Sequence, residues 1–320
     1  MKRISWIMAG MITLCACEKG EIPIKKPVAN ATTVQVEMGA DYGNQLFFSI
    51  ENNEVIRINQ RETWDLGFEN GETGMHIILN SAKMMSCAKT TVTELEQISS
   101  SSGLVFAYDL PNGNLDSTAI GSWWNDSNVY VLDRGLTVSG DPIGKIKFKI
   151  IEVNESSYSI EWANLSSSDV QTAFIPKNGT TNFTAFSFDG NGEIRDTEPS
   201  SLDWQLCFTA YTHVYEDGTP YLVTGVLSNR NGVQVAAASE TFESIEYADA
   251  IVANFENRIN VIGFDWKAYD FDLGSYTVDP LKVYLIKTQS ERIFKLRFID
   301  FYTETGVKGA PKFEITELIP

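Results

Sequence analysis

Apolar and polar residues alternate with a period of two along most of this chain, the signature of half-buried β-strands. Residues 45–50 form one strand candidate, and the polar run Glu51-Asn52-Asn53-Glu54 turns it into a second at 55–59. Further candidates stand at 63–68 and 76–80. Lys145-Ile146-Lys147-Phe148-Lys149-Ile150 and Ser157-Tyr158-Ser159-Ile160-Glu161-Trp162 alternate cleanly about the turn Asn154-Glu155-Ser156. Residues 181–188 add another strand, and the tail returns to the pattern at 282–287, 293–302 and 312–318. One segment has a different period. Phe242, Ile245, Ala248, Val252 and Phe255 recur at helical spacing, with Ser239 or Thr241 available as N-cap. The pattern predicts an all-β protein of antiparallel sheets, sandwich-like or an open barrel, with one minor helix.

Two segments echo each other. Thr63-Trp64-Asp65-Leu66-Gly67-Phe68 and Asp203-Trp204-Gln205-Leu206-Cys207-Phe208 share a polar–Trp–polar–Leu–small–Phe rhythm. On an extended strand the Trp, Leu and Phe of each would share one face, so a common core position accounts for the echo. Residues 99–201 are richer in Ser, Asn, Asp and Gly than their flanks and read as an inserted β subdomain with long loops. Asp189-Gly190-Asn191-Gly192-Glu193 has the start of a calcium loop. It lacks the Gly at the sixth position and the Glu at the twelfth, and reads as a Gly-rich β-turn.

The N-terminus follows another logic. Basic Met1-Lys2-Arg3 precedes an apolar stretch over residues 4–14. That stretch falls well short of the roughly 20 residues a spanning helix needs, and its charge order is that of a signal peptide. Leu14-Cys15-Ala16-Cys17 then places a large apolar residue three before a cysteine and a small one just before it, the pattern of a lipobox. Residues 1–17 therefore read as a lipoprotein signal peptide with lipidation at Cys17. Residues 18–35 read as a proline-bearing tether and 36–320 as the folded part. Several acyl chains on one residue anchor stably. The expected location is the outer membrane, lipid-anchored, with exposure at the cell surface compatible with it.

Charge and composition narrow the chemistry. Asp and Glu number 42 against 25 Lys and Arg, a net −17, which argues against nucleic acid or anionic lipid headgroups as partners. Two cysteines remain in the folded part, Cys87 and Cys207. An oxidising compartment permits a bridge between them, and burial as free thiols is the other reading. The chain has only two histidines, His76 and His213, and no GxSxG elbow, HExxH helix, P-loop or dinucleotide fingerprint. These parts suit a binding protein rather than an enzyme.

The last sixty residues carry an ordered set of motifs. Ile262-Gly263-Phe264-Asp265-Trp266-Lys267 is followed by Val283-Tyr284-Leu285-Ile286-Lys287-Thr288, by residues 294–302, by Gly306-Val307-Lys308-Gly309 and by Pro311-Lys312-Phe313-Glu314. Together with Gln45-Leu46-Phe47-Phe48, Thr63-Trp64-Asp65 and the strand 203–211, this resembles the HmuY family of haem-binding lipoproteins. The resemblance implies an all-β fold that captures haem outside the cell and passes it towards an outer-membrane receptor, with two histidines, or methionines in some relatives, holding the iron. Residues 264–279, where such a ligand would be sought, contain neither His nor Met. Axial iron ligation calls for imidazole or thioether, and the mature chain offers His76, His213, Met38, Met75, Met84 and Met85. His213, Met84, Met85 and His76 are the haem-ligand candidates, because they flank the strands that follow the two Trp motifs. The alternative is the same fold turned to another ligand, a glycan or protein, with Trp123-Trp124 and Trp266 available to stack on sugar rings.

Overall fold

A strand that alternates apolar and polar residues must bury one face against another sheet, and here that need is met twice. The computed structural model describes residues 31–320, so the signal peptide, Cys17 and most of the expected tether lie outside the described residues. In the first lobe, a five-stranded sheet runs in the order Thr32–Gln35, Lys308–Leu318, Ile293–Tyr302, Val283–Lys287, Gln234–Ala238. It faces a four-stranded sheet ordered Pro220–Ser228, Leu206–Val214, Asn44–Ser49, Glu54–Gln60. Leu46, Phe48, Leu206 and Phe208 pack there against Ile286, Leu296, Phe298 and Phe313. In the second lobe, Gln171–Pro176, Ser157–Asn164, Lys145–Val153, Tyr130–Asp133 and Ser86–Lys89 form the five-stranded sheet. Its partner sheet is ordered Glu193–Arg195, Phe183–Ser187, Leu66–Glu69, Ile77–Leu79. Leu66, Phe68 and Phe186 pack against Phe148, Ile160 and Trp162. The architecture is two antiparallel sandwiches, and the open-barrel option is set aside.

The lobes share one strand plan. Leu66 is flanked by Phe186 and Leu79, and Leu206 by Phe48 and Ser228. The second lobe uses its nine strands consecutively. The first lobe starts the same plan at Leu206, runs it to the C-terminus, and completes it with the three N-terminal strands. The molecule is therefore an internal duplication in circularly permuted order, with an extra hairpin, Lys267–Asp270 and Ser275–Val278, in the first lobe.

Three expectations need correction. The tether is shorter than 18–35, because Thr32–Gln35 is a strand paired along Lys308–Leu318. The compositional break at residue 99 marks a long loop of the second lobe and not its start, since Leu66, Phe68, Leu79 and Cys87 already belong to that lobe's core. The helix expected from Phe242 to Phe255 is only Tyr247–Ala250, entered from Glu246 rather than Ser239 or Thr241. Phe242 and Ile245 do lie over the five-stranded sheet, beside Val283 and Leu285. Their carbonyls are taken by Lys295 Nζ at 2.7 and 2.9 Å, which are acceptors a longer helix would have used. Cys87 and Cys207 are both free and buried, Cys87 in the second core and Cys207 against Phe47 and Trp204, so no bridge joins them. Asp189 and Gly192 do form a β-turn, and Asp189 pairs with Arg134 at 2.7 Å. Among the described residues no helix is long and apolar enough to cross a membrane.

Candidate functional site

The two Trp motifs are the hinges between the lobes. Trp was expected to share a face with the Leu and Phe that follow it. Instead Trp204 packs edge-on against Phe47 at 4.8 Å and clusters with Cys207, on the face opposite Leu206 and Phe208. A turn before each strand rotates the chain, and a buried asparagine clamps that turn. Asn80 Nδ2 donates to Arg61 O and Trp64 O, both at 2.8 Å, while Asn229 Nδ2 donates to Ser201 O at 2.8 Å and Trp204 O at 2.9 Å. Asp65 and Gln205 repeat the correspondence, accepting from Phe188 N at 2.7 Å and Ile50 N at 2.9 Å. Trp64 and Trp204 are thereby turned into the space between the two four-stranded sheets.

That space is a cavity of about 170 Å³. Its walls are mostly apolar, with Phe47, Trp64, Phe183, Trp204 and Ile259 among them, and they carry two carboxyls, Asp109 and Glu198, and one guanidinium, Arg230. Burial pushes the Asp109 carboxyl up to about 6, against the lowering effect of hydrogen bonds from Ala119 N and Leu79 N. Burial likewise pushes Glu198 up to about 7, while Phe183 N and the Asn182 amide hold it down. The cavity was not legible as a site in the sequence, because its lining is gathered from positions as far apart as Gln45 and Ile259.

His76 sits in a different setting, at the outer end of the second lobe's four-stranded sheet. It directly precedes Ile77–Leu79 and lies opposite Glu69, the last residue of Leu66–Glu69. Glu69 Oε2 accepts from Met75 N and His76 N, each at 3.0 Å, and lies 2.6 Å from His76 Nδ1. Burial works to raise the Glu69 carboxyl, and these hydrogen bonds together more than offset it, so it is held below the usual carboxylate range. A carboxylate on Nδ1 fixes the tautomer with the proton there and leaves the Nε2 lone pair free. Nε2 lies 3.6 Å from Asp116 Oδ1, on an exposed side chain. The Trp124 ring stands edge-on to the imidazole at 5.6 Å and is 39% exposed. Trp123 behind it is buried, its indole N–H donating to Met75 O at 2.7 Å.

The other candidates are dispersed. His213, near the end of Leu206–Val214, rests its ring against Phe264 at 5.0 Å and Tyr215 at 4.8 Å, with Nδ1 buried and unpartnered. Met84 is the left-handed cap of the short turn Ser81–Lys83. Met85 is 1% exposed inside the second core, and Met38 is equally buried in the first. Thr212 Oγ1 donates to Ser81 O at 2.7 Å, which docks the Met84 turn on the His213 strand. Neighbouring strand residues point to opposite faces, so that contact does not carry Met84 to His213. The structure joins His76 to Glu69 and Trp124, and to none of His213, Met84 or Met85. Glu69 was missed in the sequence; its place seven residues before His76, across a hairpin, was the available signal. Trp266 is fully buried and stacked on Phe298 at 3.8 Å, which removes it as a sugar platform.

Two antiparallel sandwiches with a cavity between their four-stranded sheets define an all-β fold. The sequence matches the HmuY protein family over residues 41–315, and the chain belongs to that family, one of non-enzymatic carriers. Similar solved structures include apo PinO from Porphyromonas gingivitis, at 8% identity over 91% of this chain and 99% of that one, with a TM-score of 0.38. The apo HmuY analogue of Tannerella forsythia has 8% identity over 93% and 99% of the chains, TM-score 0.26. A Bacteroides vulgatus protein assigned as HmuY-like and heme binding has 9% identity over 91% and 93%, TM-score 0.24. At these identities family membership rests on the sequence match alone. No curated protein matches the chain.

Proposed function

We propose that this protein is a lipid-anchored haem carrier in which His76 Nε2 takes one axial position on the iron of its cargo. The observation that carries the reading is the Glu69–His76 pair at 2.6 Å. A carboxylate that orients an imidazole is the usual support of a metal-binding histidine. Trp124 offers an exposed ring beside it for a flat macrocycle. Asp116, an exposed side chain 3.6 Å away, is the group nearest Nε2 among the ion pairs of the described residues. Family membership supports haem as the class of cargo, and the lipobox at Cys17 supports an outer-membrane anchor from which haem would pass to a receptor. Of the other candidates, Met85 is committed to the core, while His213 and Met84 lie in separate surroundings. Hemin titrated into the soluble chain should produce a red-shifted Soret band that saturates at one equivalent. A spectrum that stays that of free hemin at micromolar protein, both oxidised and reduced, would sink the reading.

A further inference from the structure

The cavity between the lobes is separate from the His76 surface, and it is the wrong size for a macrocycle. Ligand pockets for drug-sized molecules run to about 300–1,000 Å³, whereas a dry cavity of about 150 Å³ takes up benzene. At about 170 Å³ this one holds a single ring with a small substituent.

Its polar groups differ in what they have left to give. Asp109 is spent, with Oδ2 accepting from Leu79 N at 2.7 Å and Oδ1 from Ala119 N at 2.8 Å. Glu198 is spent as well, accepting from the Asn182 amide at 2.6 Å and Phe183 N at 3.1 Å. Arg230 is not. One Nη donates to Gly113 O at 2.8 Å, and the guanidinium lies over the Phe183 ring at 5.0 Å. Among the described residues no other acceptor is met by its N–H groups, and none of them is sealed away from accessible space. A planar fork with free donors in an apolar cavity fits a carboxylate.

The space has a cause in the duplication. Gly67 and Ala185 occupy, in the second lobe's sheet, the positions that Cys207 and Phe47 occupy in the first. The small pair leaves room that the large pair fills. We propose that the interlobe cavity binds a small aromatic monocarboxylate, its ring between Trp204 and Phe183 and its carboxylate on Arg230. Beyond Asp109 and Glu198, the acid within electrostatic reach of Arg230 is Glu69, which is engaged by His76, and the Cys207 thiol faces Glu198. Mildly acid solution neutralises Asp109 and Glu198 in part and leaves Arg230 the dominant charge.

Calorimetry of the whole soluble chain with benzoate at pH 5.5, beside benzyl alcohol as the neutral isostere, tests this. Benzoate should bind at one site at least tenfold more tightly than the alcohol and raise the melting temperature. Arg230→Gln should lose that tenfold while leaving the alcohol unaffected. Ala185→Leu, which fills the room, should abolish binding of both with a melting temperature no lower than wild type. Equal affinity for the two probes, no binding of benzoate at millimolar concentration, or full binding by Ala185→Leu would each overturn the proposal. Hemin binding at His76 is read separately and is indifferent to these outcomes.

Discussion

Two carboxyl groups, Asp109 and Glu198, show how burial sets behaviour in this molecule. Folded Asp109 and Glu198 keep their protons to about pH 6 and about pH 7, where an unfolded chain releases them near ~4. Between those limits each of these carboxyls binds more protons in the native state than in the unfolded state, so their contribution to stability falls as pH rises from about 4 to about 7 and is level above. In urea unfolding these two carboxyls should together contribute a loss of about 4 kcal/mol between pH 5 and pH 8, one pKa unit being worth about 1.4 kcal/mol. Glu198→Gln should cut that loss by about two thirds, and an unchanged pH slope in the variant would refute the assignment. At this scale the sequence was a poor guide. Methionine and tryptophan were read as ligands and platforms by type, yet Met85 and Trp266 are core residues. Side-chain type cannot reveal burial when period-2 strands have both faces covered, as Val283–Lys287 has.

Among the elements, the Trp turns matter most. Asn229 makes four hydrogen bonds in a fully buried position, two to the turn carbonyls and two accepted, from Asn231 N and from Asn182 Nδ2 at 2.9 Å each. Asn229→Ala strands those partners and should cost about 3 kcal/mol. Asn229→Asp should cost more at pH 7, because it aims a charge at two carbonyls. A change within about 0.5 kcal/mol of wild type in urea unfolding, the range of an ordinary surface substitution, would show that the clamp is not needed. The strands were legible because alternation survives in 145–150, 157–162 and the tail. The echo of the Trp motifs was legible too, though not its meaning. The clamping asparagines lie 16 and 25 residues beyond their tryptophans, and nothing local links them. The helix was over-read because Phe242 and Ile245 have helical spacing yet are pinned through their carbonyls to Lys295.

As a whole, the molecule is one sandwich plan written twice, and the haem assignment falls in one copy. Glu69, His76, Asp116 and Trp124 all belong to residues 61–200, which hold a complete core and nine consecutive strands. That segment expressed alone should fold to a β-rich, cooperatively melting unit and retain the hemin band. A segment that stays unfolded would mean the lobes depend on each other. The duplication was hidden in the sequence because its copies are permuted and share only short motifs. The family was visible because its motifs cluster in the C-terminal strands. The most direct test of the central claim is hemin titration of the full soluble chain as wild type, His76→Ala and His213→Ala, oxidised and reduced. The account predicts that His76→Ala loses the shifted Soret band and His213→Ala keeps it. A wild-type spectrum in His76→Ala would contradict it.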